Sequence, residues 1–231
     1  MATTFQPVTH VIFDMDGLLL DTERLYTQAT QMLVDEYDKV YTWEVKVGCM
    51  GMKEQNAAQH IIKELDLPLS VDQYVDKIHA LYPTLFPSAQ LLPGADKLVR
   101  HLHKHKIPLA IASGGAQDSY LLKTTNHQHF TDLFSHVVLA TSDVHVKNGK
   151  PAPDVFLVCA SRFPGQPPKP EKCLVFEDAP NGVSAAVSAK MQVVMVPDNR
   201  LDTKSMSHQA TQILNSLEDF IPELFGLPAY D

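Results

Sequence analysis

Short, almost wholly apolar runs punctuate the chain at wide intervals, and between them apolar residues recur three and four positions apart. Five runs read as buried strands: Val8 to Phe13, Ile107 to Ala112, His136 to Ala140, Cys173 to Phe176 and Gln192 to Val196. Helical faces lie between them, at Ala95, Leu98, Val99 and Leu102 after the Pro93-Gly94 turn, and at Phe156, Cys159, Ala160 and Phe163 after Pro151 and Pro153. Strands that alternate with helices predict an α/β fold, a parallel sheet covered on both faces. The stretch 22–88 breaks this alternation. It carries only helical patterns, with Leu25, Ala29, Met32 and Leu33 on one face and Ala58, Ile61, Ile62 and Leu65 on another, and it is too long for a simple crossover. Residues 21–88 are therefore expected to form an inserted all-helical subdomain, set apart from a core made of 1–20 and 89–231. Prolines crowd residues 163–170, which read as a surface loop, and Ser216 with Asp219 three residues on reads as the start of a short terminal helix.

A chain of 231 residues can bury a sizeable core. Its 19 Lys and Arg against 27 Asp and Glu give a formal net charge of −8, so it lacks the basic surface that nucleic acids and anionic membranes require. Anionic small molecules stay open as partners, because a metal ion and one or two lysines reverse the sign locally. Cys49, Cys159 and Cys173 lie far apart without a CxxC pair, which suits a reducing compartment. The first basic residue is Arg24, and no apolar run approaches the roughly 18 residues of a membrane span. These features predict a cytoplasmic protein, with a monomer as the default.

Chemistry concentrates where predicted strands end. Val11-Ile12-Phe13 runs into Asp14-Met15-Asp16-Gly17, and if the chain stays extended, side chains two apart project to the same side, forming one acidic site. The carboxyl ends of strands in an open parallel sheet form the ligand crevice. Adjacent carboxylates repel unless a cation or proton separates them, so an oxygen-loving ion such as Mg²⁺ is the natural occupant. An isolated D-x-D-G could equally be a turn with incidental acids. A second strand, Leu174-Val175-Phe176, ends in Glu177-Asp178, and two such ends favour a composite metal site, although Asp178 alone also fits a helix N-cap. A third strand ends in Ser113-Gly114-Gly115, a hydroxyl and exposed backbone N–H donors suited to phosphate oxygens. Lys150, just ahead of a proline-started helix, would be an ordinary solvated lysine elsewhere; beside four carboxylates it could neutralise a nucleophile and clamp a phosphate. His101, His103 and His105 alternate on a predicted helix where only the outer two share a face, which disfavours a three-ligand metal site. Trp43 and the methionines read as packing.

Taken in order, Asp14-Met15-Asp16-Gly17, Ser113, Lys150 and Glu177-Asp178 resemble the four motifs of the haloacid dehalogenase superfamily of aspartate-nucleophile phosphotransferases. That resemblance implies a core sheet of Rossmann-like topology and a helical cap over the active site of a small-metabolite phosphatase. A further resemblance, to the pseudouridine 5′-phosphatases of animals, rests on Phe13 to Glu23, Tyr37 to Lys46, Lys172 to Val183, Gln192 to Asp198 and Pro222 to Tyr230. The sequence departs from that group at Gly114-Gly115, where further hydroxyl residues are usual. By resemblance, Asp14 is the nucleophile that forms an aspartyl phosphate, and Asp16 protonates the leaving alkoxide and then activates water. Mg²⁺ is then held by Asp14, the Asp16 backbone carbonyl and Asp178, with Glu177 a ligand or an orienter of bound water. Ser113, Gly114 and Lys150 hold the phosphoryl group, and Lys53, in a Gly51-Met52-Lys53 specificity loop, contacts the leaving group. Asp21 is expected to N-cap the first cap helix. The implied activity is hydrolysis of a small phosphorylated metabolite, pseudouridine 5′-phosphate by resemblance. A hexose-phosphate mutase of the β-phosphoglucomutase type, a sugar-phosphate phosphatase and a receiver-like phospho-acceptor module are the alternatives.

Overall fold

In the computed structural model, which describes residues 5–49, 52, 54–201, 203 and 209–230, all five predicted strands form. They are β1 (His10–Phe13), β2 (Leu109–Ser113), β3 (His136–Leu139), β4 (Cys173–Glu177) and β5 (Gln192–Met195), and a two-residue β6 (Gln212–Ile213) follows. Every pairing is parallel, in the order β3-β2-β1-β4-β5-β6. The first strand in the sequence lies inside the sheet: Phe13 pairs with Ile111 on one side and Phe176 on the other.

The period of two along each strand divides the core. Val11, Phe13, Ile111, Leu174 and Phe176 point into one layer, and Ile12, Ala110, Ala112, Val175 and Val193 into the other. The first layer is closed by α5 (Ala95–Lys104), whose Ala95, Leu98, Val99 and Leu102 are fully buried, and by Phe220, Phe225 and Leu227 of the C-terminal segment. The second is closed by α8 (Asp154–Ser161) and α9 (Pro180–Ser188) through Phe156, Cys159, Val183 and Ala186. Two short helices, α6 (Gln117–Lys123) and α7 (Gln128–Thr131), connect β2 to β3. The expected Rossmann-like parallel sheet, covered on both faces, is the observed one.

Between β1 and α5 the chain folds into α1 (Thr22–Asp35), α2 (Trp43–Cys49), α3 (Glu54–Glu64) and α4 (Val71–Leu85). These helices bury a cluster of their own around Leu25, Ala29, Leu33, Ala58, Ile61, Tyr74 and Ile78. Met32, expected on the inward face of α1, is 42% exposed; Thr30 and Val34 take the inward places beside Leu33. A capping box between Ser70 and Gln73 starts α4.

The helical stretch leaves and rejoins the sheet along one ladder. Leu20 bridges to Leu91, the Leu92 N–H donates to the Leu19 carbonyl (2.9 Å) and the Asp21 N–H to the Gln90 carbonyl (3.0 Å). Asp21 occupies the N-cap position of α1 but does not cap it. Its Oδ1 accepts from the Gln90 N–H (2.8 Å) and its Oδ2 from the Arg24 guanidinium (3.0 Å), so its carboxylate staples the outgoing chain to the returning one. The expected terminal helix is also shorter than an α-helix. Ser216 does accept from the Glu218 N–H (3.1 Å), but only a 3₁₀ turn over Leu217–Asp219 follows, because Pro222 disfavours helical backbone at Ile221.

Leu98 is fully buried in the larger layer. Leu98→Ala is expected to lower stability by about 2–5 kcal/mol, read from urea denaturation followed by circular dichroism; a loss below about 1 kcal/mol would mean that the layer under α5 collapses freely around the vacated volume.

Candidate active site

The carboxyl ends of β1, β2 and β4 bring the motif residues to one edge. Asp14 follows β1 directly, and its N–H donates to the Phe176 carbonyl (2.9 Å), so the ladder holds it beside the end of β4. Glu177 is the last residue of β4 and Ser113 the last of β2. Lys150 reaches across from the loop ahead of α8. Its Nζ lies 2.5 Å from Asp14 Oδ1 and 2.5 Å from Glu177 Oε1, and donates to the Ala112 carbonyl at 3.2 Å.

Close backbone packing makes room for these carboxylates. Glu177 is 1% exposed, and its Oε2 accepts from the N–H groups of Asp178 (3.1 Å) and Ala179 (3.3 Å). A methyl at Gly182 would stand 1.8–2.1 Å from that carboxylate, so only glycine fits at this point of α9. Gly17 turns the chain away from β1 at φ +79°, and a side chain there would also strike Asp178, 2.3 Å from its Oδ2. The N-cap of α9 is Ala179, so Asp178 is not a cap.

Asp14 and Asp16 lie near enough for the Asp16 charge to act on Asp14, but they take different partners. The strand ends at Phe13, and Asp16 forms an isolated bridge to Leu20, beside the start of the helical stretch. Asp16 Oδ1 accepts from Thr22 Oγ1 (2.7 Å) and from Lys123 Nζ (2.6 Å), and Oδ2 accepts from Ser113 Oγ (3.2 Å). Ser113 in turn accepts from the Gly115 N–H (3.1 Å), whereas Gly114 is exposed and open to the crevice. Lys123 was not singled out in the sequence. It sits three residues after Tyr120 on the inward side of α6, and its partners come from distant parts of the chain. Lys53 and Gly51 lie outside the described residues.

The electrostatics follow the two lysines. Burial pushes the Asp14 carboxyl up, Lys150 opposes this, and the charges of Glu177 and Asp16 push it up again, to about 7. Burial also raises Asp16, but the Lys123 charge and the hydrogen bonds from Lys123, Thr22 and Ser113 prevail and hold it below the usual carboxylate range. Asp178 is pushed far up by burial and by Glu177 and Asp14. Burial disfavours the charge on Lys150, yet its two carboxylate partners raise it above the ordinary lysine value.

Oxygens of Asp14, Glu177 and Asp178 lie within 4.8 Å of one another. Three crowded carboxylates with a single lysine among them form a hard-oxygen donor set short of positive charge, which fits a divalent cation such as Mg²⁺. Beside Asp178 opens a cleft of about 670 Å³, whose walls include Gly17, Glu23, Lys46, Asp198 and Arg200. Lys46 is bound there to Glu23 (3.0 Å) and Thr27 (2.9 Å), and Arg200 lies 4.0 Å over the Trp43 ring, so Trp43 stands at the cleft rim. His101 and His103 are taken up by the carbonyls of Pro228 (2.9 Å) and Leu133 (3.0 Å).

A family model for haloacid dehalogenase-like hydrolases matches residues 8–190. The chain belongs to that family. A probable pseudouridine-5′-phosphatase of Drosophila melanogaster is 54% identical over 96% of both chains. The mitochondrial (DL)-glycerol-3-phosphatase 1 of Arabidopsis thaliana is 47% identical over 96% of this chain and 75% of its own. Among solved structures, a putative β-phosphoglucomutase from Thermotoga maritima superposes with a TM-score of 0.73 at 28% identity, covering 94% of this chain and 97% of its own. As a haloacid dehalogenase-like hydrolase with phosphatases for relatives, the chain is an enzyme, a phosphatase. Among the described residues no helix is long and apolar enough to cross a membrane.

Gly182→Ala would force the Glu177 carboxylate off Lys150 and break a buried ion pair. It is expected to cost about 3–5 kcal/mol in urea denaturation. Gly114→Ala, whose added methyl meets nothing within 4 Å, should stay within about 0.5 kcal/mol of the parent. Equal effects of the two substitutions would contradict this account of the site.

Proposed function

We propose that the chain is a Mg²⁺-dependent phosphomonoesterase that works through an aspartyl-phosphate on Asp14, with pseudouridine 5′-phosphate as its substrate. The observation that carries this reading is the separate pairing of two aspartates two residues apart, Asp14 with Lys150 and Asp16 with Lys123. One carboxylate beside a phosphate-clamping lysine suits a nucleophile; the other, held by donors on the side of the helices, suits proton transfer to and from the leaving group.

Asp14 attacks phosphorus and the bond to the ester oxygen breaks, which leaves the phosphoryl group on Asp14. Asp16 gives its proton to the departing alkoxide, then takes one from the water that hydrolyses the phosphoenzyme. Free of substrate, Lys123 holds Asp16 as a carboxylate; an incoming phosphate dianion raises that carboxyl through like-charge repulsion and supplies the protonated form. Lys150 and the Gly114-Gly115 backbone orient the phosphoryl oxygens, while Ser113 holds Asp16. Asp14, the Asp16 carbonyl and Asp178 would hold Mg²⁺, which when bound offsets the repulsion between nucleophile and phosphate. Glu177 acts as an orienter, since both its oxygens are engaged by Lys150 and by backbone N–H groups.

The helices of 21–88 act as a cap, and the cleft of about 670 Å³ at their base suits a small metabolite. Lys53, which lies outside the described residues, is the candidate to contact the leaving group. The identity to the Drosophila protein supports pseudouridine 5′-phosphate, and the Arabidopsis relative favours glycerol 3-phosphate as the second reading. We assign the protein to the cytoplasm as a monomer, with neither nucleic acid nor membrane as partner.

Asp14→Asn should abolish phosphate release with an unchanged circular dichroism spectrum, and chelation of Mg²⁺ should do the same reversibly; wild-type-like rates in either test would remove the mechanism. In a phosphate-release screen with Mg²⁺, pseudouridine 5′-phosphate should give the highest kcat/KM. A clear preference for glycerol 3-phosphate would replace the substrate and keep the reaction, whereas isomerisation of a hexose phosphate without release would favour the mutase.

A further inference from the structure

Lys123 lies buried beside the site, and the reaction above gives it no task beyond keeping Asp16 ionised before substrate binds. It is fully buried at the C-terminal end of α6, and among the described residues its ion-pair partner is Asp16, at 2.6 Å. Its ammonium also donates to the Tyr26 hydroxyl (2.7 Å) and lies 4.6 Å from the centre of the Tyr26 ring and 5.0 Å from that of Phe86. Tyr26 belongs to α1, two turns or less from Thr22, and Thr22 donates to the same Asp16 oxygen as Lys123.

The geometry points to Lys123 as the positioning residue for Asp16: with Tyr26 it fixes the direction in which the Asp16 carboxyl exchanges protons with the leaving group and with water. A buried ammonium cannot be left unpaired, so Lys123 confines Asp16 to the few rotamers that reach it. Tyr26 supplies the second fixed partner and stops the lysine from following its carboxylate into solvent. Asp16 is itself more open than Lys123, its side chain 19% exposed against 0%, so the lysine is the fixed end of the pair and the carboxyl the end that faces the crevice. Three elements then determine one carboxyl direction: β2 through Ser113, α6 through Lys123, and α1 through Thr22 and Tyr26.

This inference rests on Asp16 being the acid and base of the reaction, and the test separates the two. Lys123→Met keeps the length and apolar stem of the side chain, and Asp16 retains Thr22 and Ser113. Turnover is compared on pseudouridine 5′-phosphate or glycerol 3-phosphate, whichever the wild type hydrolyses faster, and on p-nitrophenyl phosphate, whose leaving group departs as a stable anion without a proton. Lys123→Met should lower kcat on the alkyl ester by about 100-fold or more, while the first equivalent of p-nitrophenolate is released within about fivefold of the wild-type rate. Tyr26→Phe, which removes a single hydroxyl, should show the same split at about tenfold, and decides alone if Lys123→Met does not fold. Equal losses on both esters, or a loss on neither, would overturn the positioning role. Asp16→Asn is the reference: a split there without one in the Lys123 and Tyr26 variants removes only this inference, and no split there removes the acid–base reading and this inference with it.

Discussion

Carboxylates crowded at one buried sheet edge repel one another, and the rest of the structure is arranged around that repulsion. Asp14, Asp16, Glu177 and Asp178 meet at the ends of β1 and β4, where water is too scarce to screen them. Two lysines from distant parts of the chain halve the charge, Lys150 between Asp14 and Glu177, and Lys123 against Asp16. A divalent cation among Asp14, Glu177 and Asp178 would offset the remainder. The glycines follow from the same constraint. Gly182 and Gly17 are the places where a methyl would displace Glu177 or Asp178, and so undo the pairing.

That constraint also ties the helices of 22–85 to the sheet. Lys123 could pair with Asp16 from the core alone, but it is buried against Tyr26 and Phe86, which come from or follow the helical stretch. Thr22 adds a donor from the first turn of α1, and Asp21 joins the outgoing chain to Gln90 on the return. The Asp16 carboxyl is thus held from both sides of the crevice, while Asp14 is held by the core only. A shift of α1 relative to the sheet would disturb Asp16 first and Asp14 last.

Much of this was legible before any coordinates, for reasons that particular residues make clear. The strands could be read because each is buried on both faces and leaves a nearly unbroken apolar run, as at Val11-Ile12-Phe13 and Leu174-Val175-Phe176. β6 left no such trace, since Gln212–Ile213 is two residues long and half-buried. The motif acids were legible because they interrupt apolar runs at strand ends. Lys123 was not, because lysines on helices are ordinarily solvated and its partners, Asp16 and Tyr26, are 107 and 97 residues away. Asp21 misled for a related reason: Asp ahead of a helix usually caps it, and only the returning chain at Gln90 offers the better donor. An extended chain places Asp14 and Asp16 on one side, but β1 ends at Phe13 and the two carboxylates take different lysines.

Chemistry and selectivity occupy different parts of the molecule. Two relatives of similar identity to this chain, 54% and 47%, carry the names of different substrates, a pseudouridine phosphate and a glycerol phosphate. Both substrates are alkyl phosphomonoesters, so a centre that binds the phosphoryl group, attacks it and protonates an alkoxide serves either without change. What distinguishes a nucleoside from a three-carbon polyol is the volume and polarity offered to the rest of the molecule. In this chain a cleft adjoins Asp178, with walls from α1, α2 and the segment after β5, and with Glu23, Lys46, Asp198 and Arg200 among them. Each of these charges is already paired within the wall, Lys46 with Glu23 and Arg200 with Asp198. With Asp21, Arg24, Asp178 and Glu218 also in the wall, acids outnumber bases there by five to three, an environment that gives no advantage to a second phosphate. The −8 of the whole chain therefore says little about the substrate, because a lysine and a divalent cation can reverse the sign locally at the sheet edge.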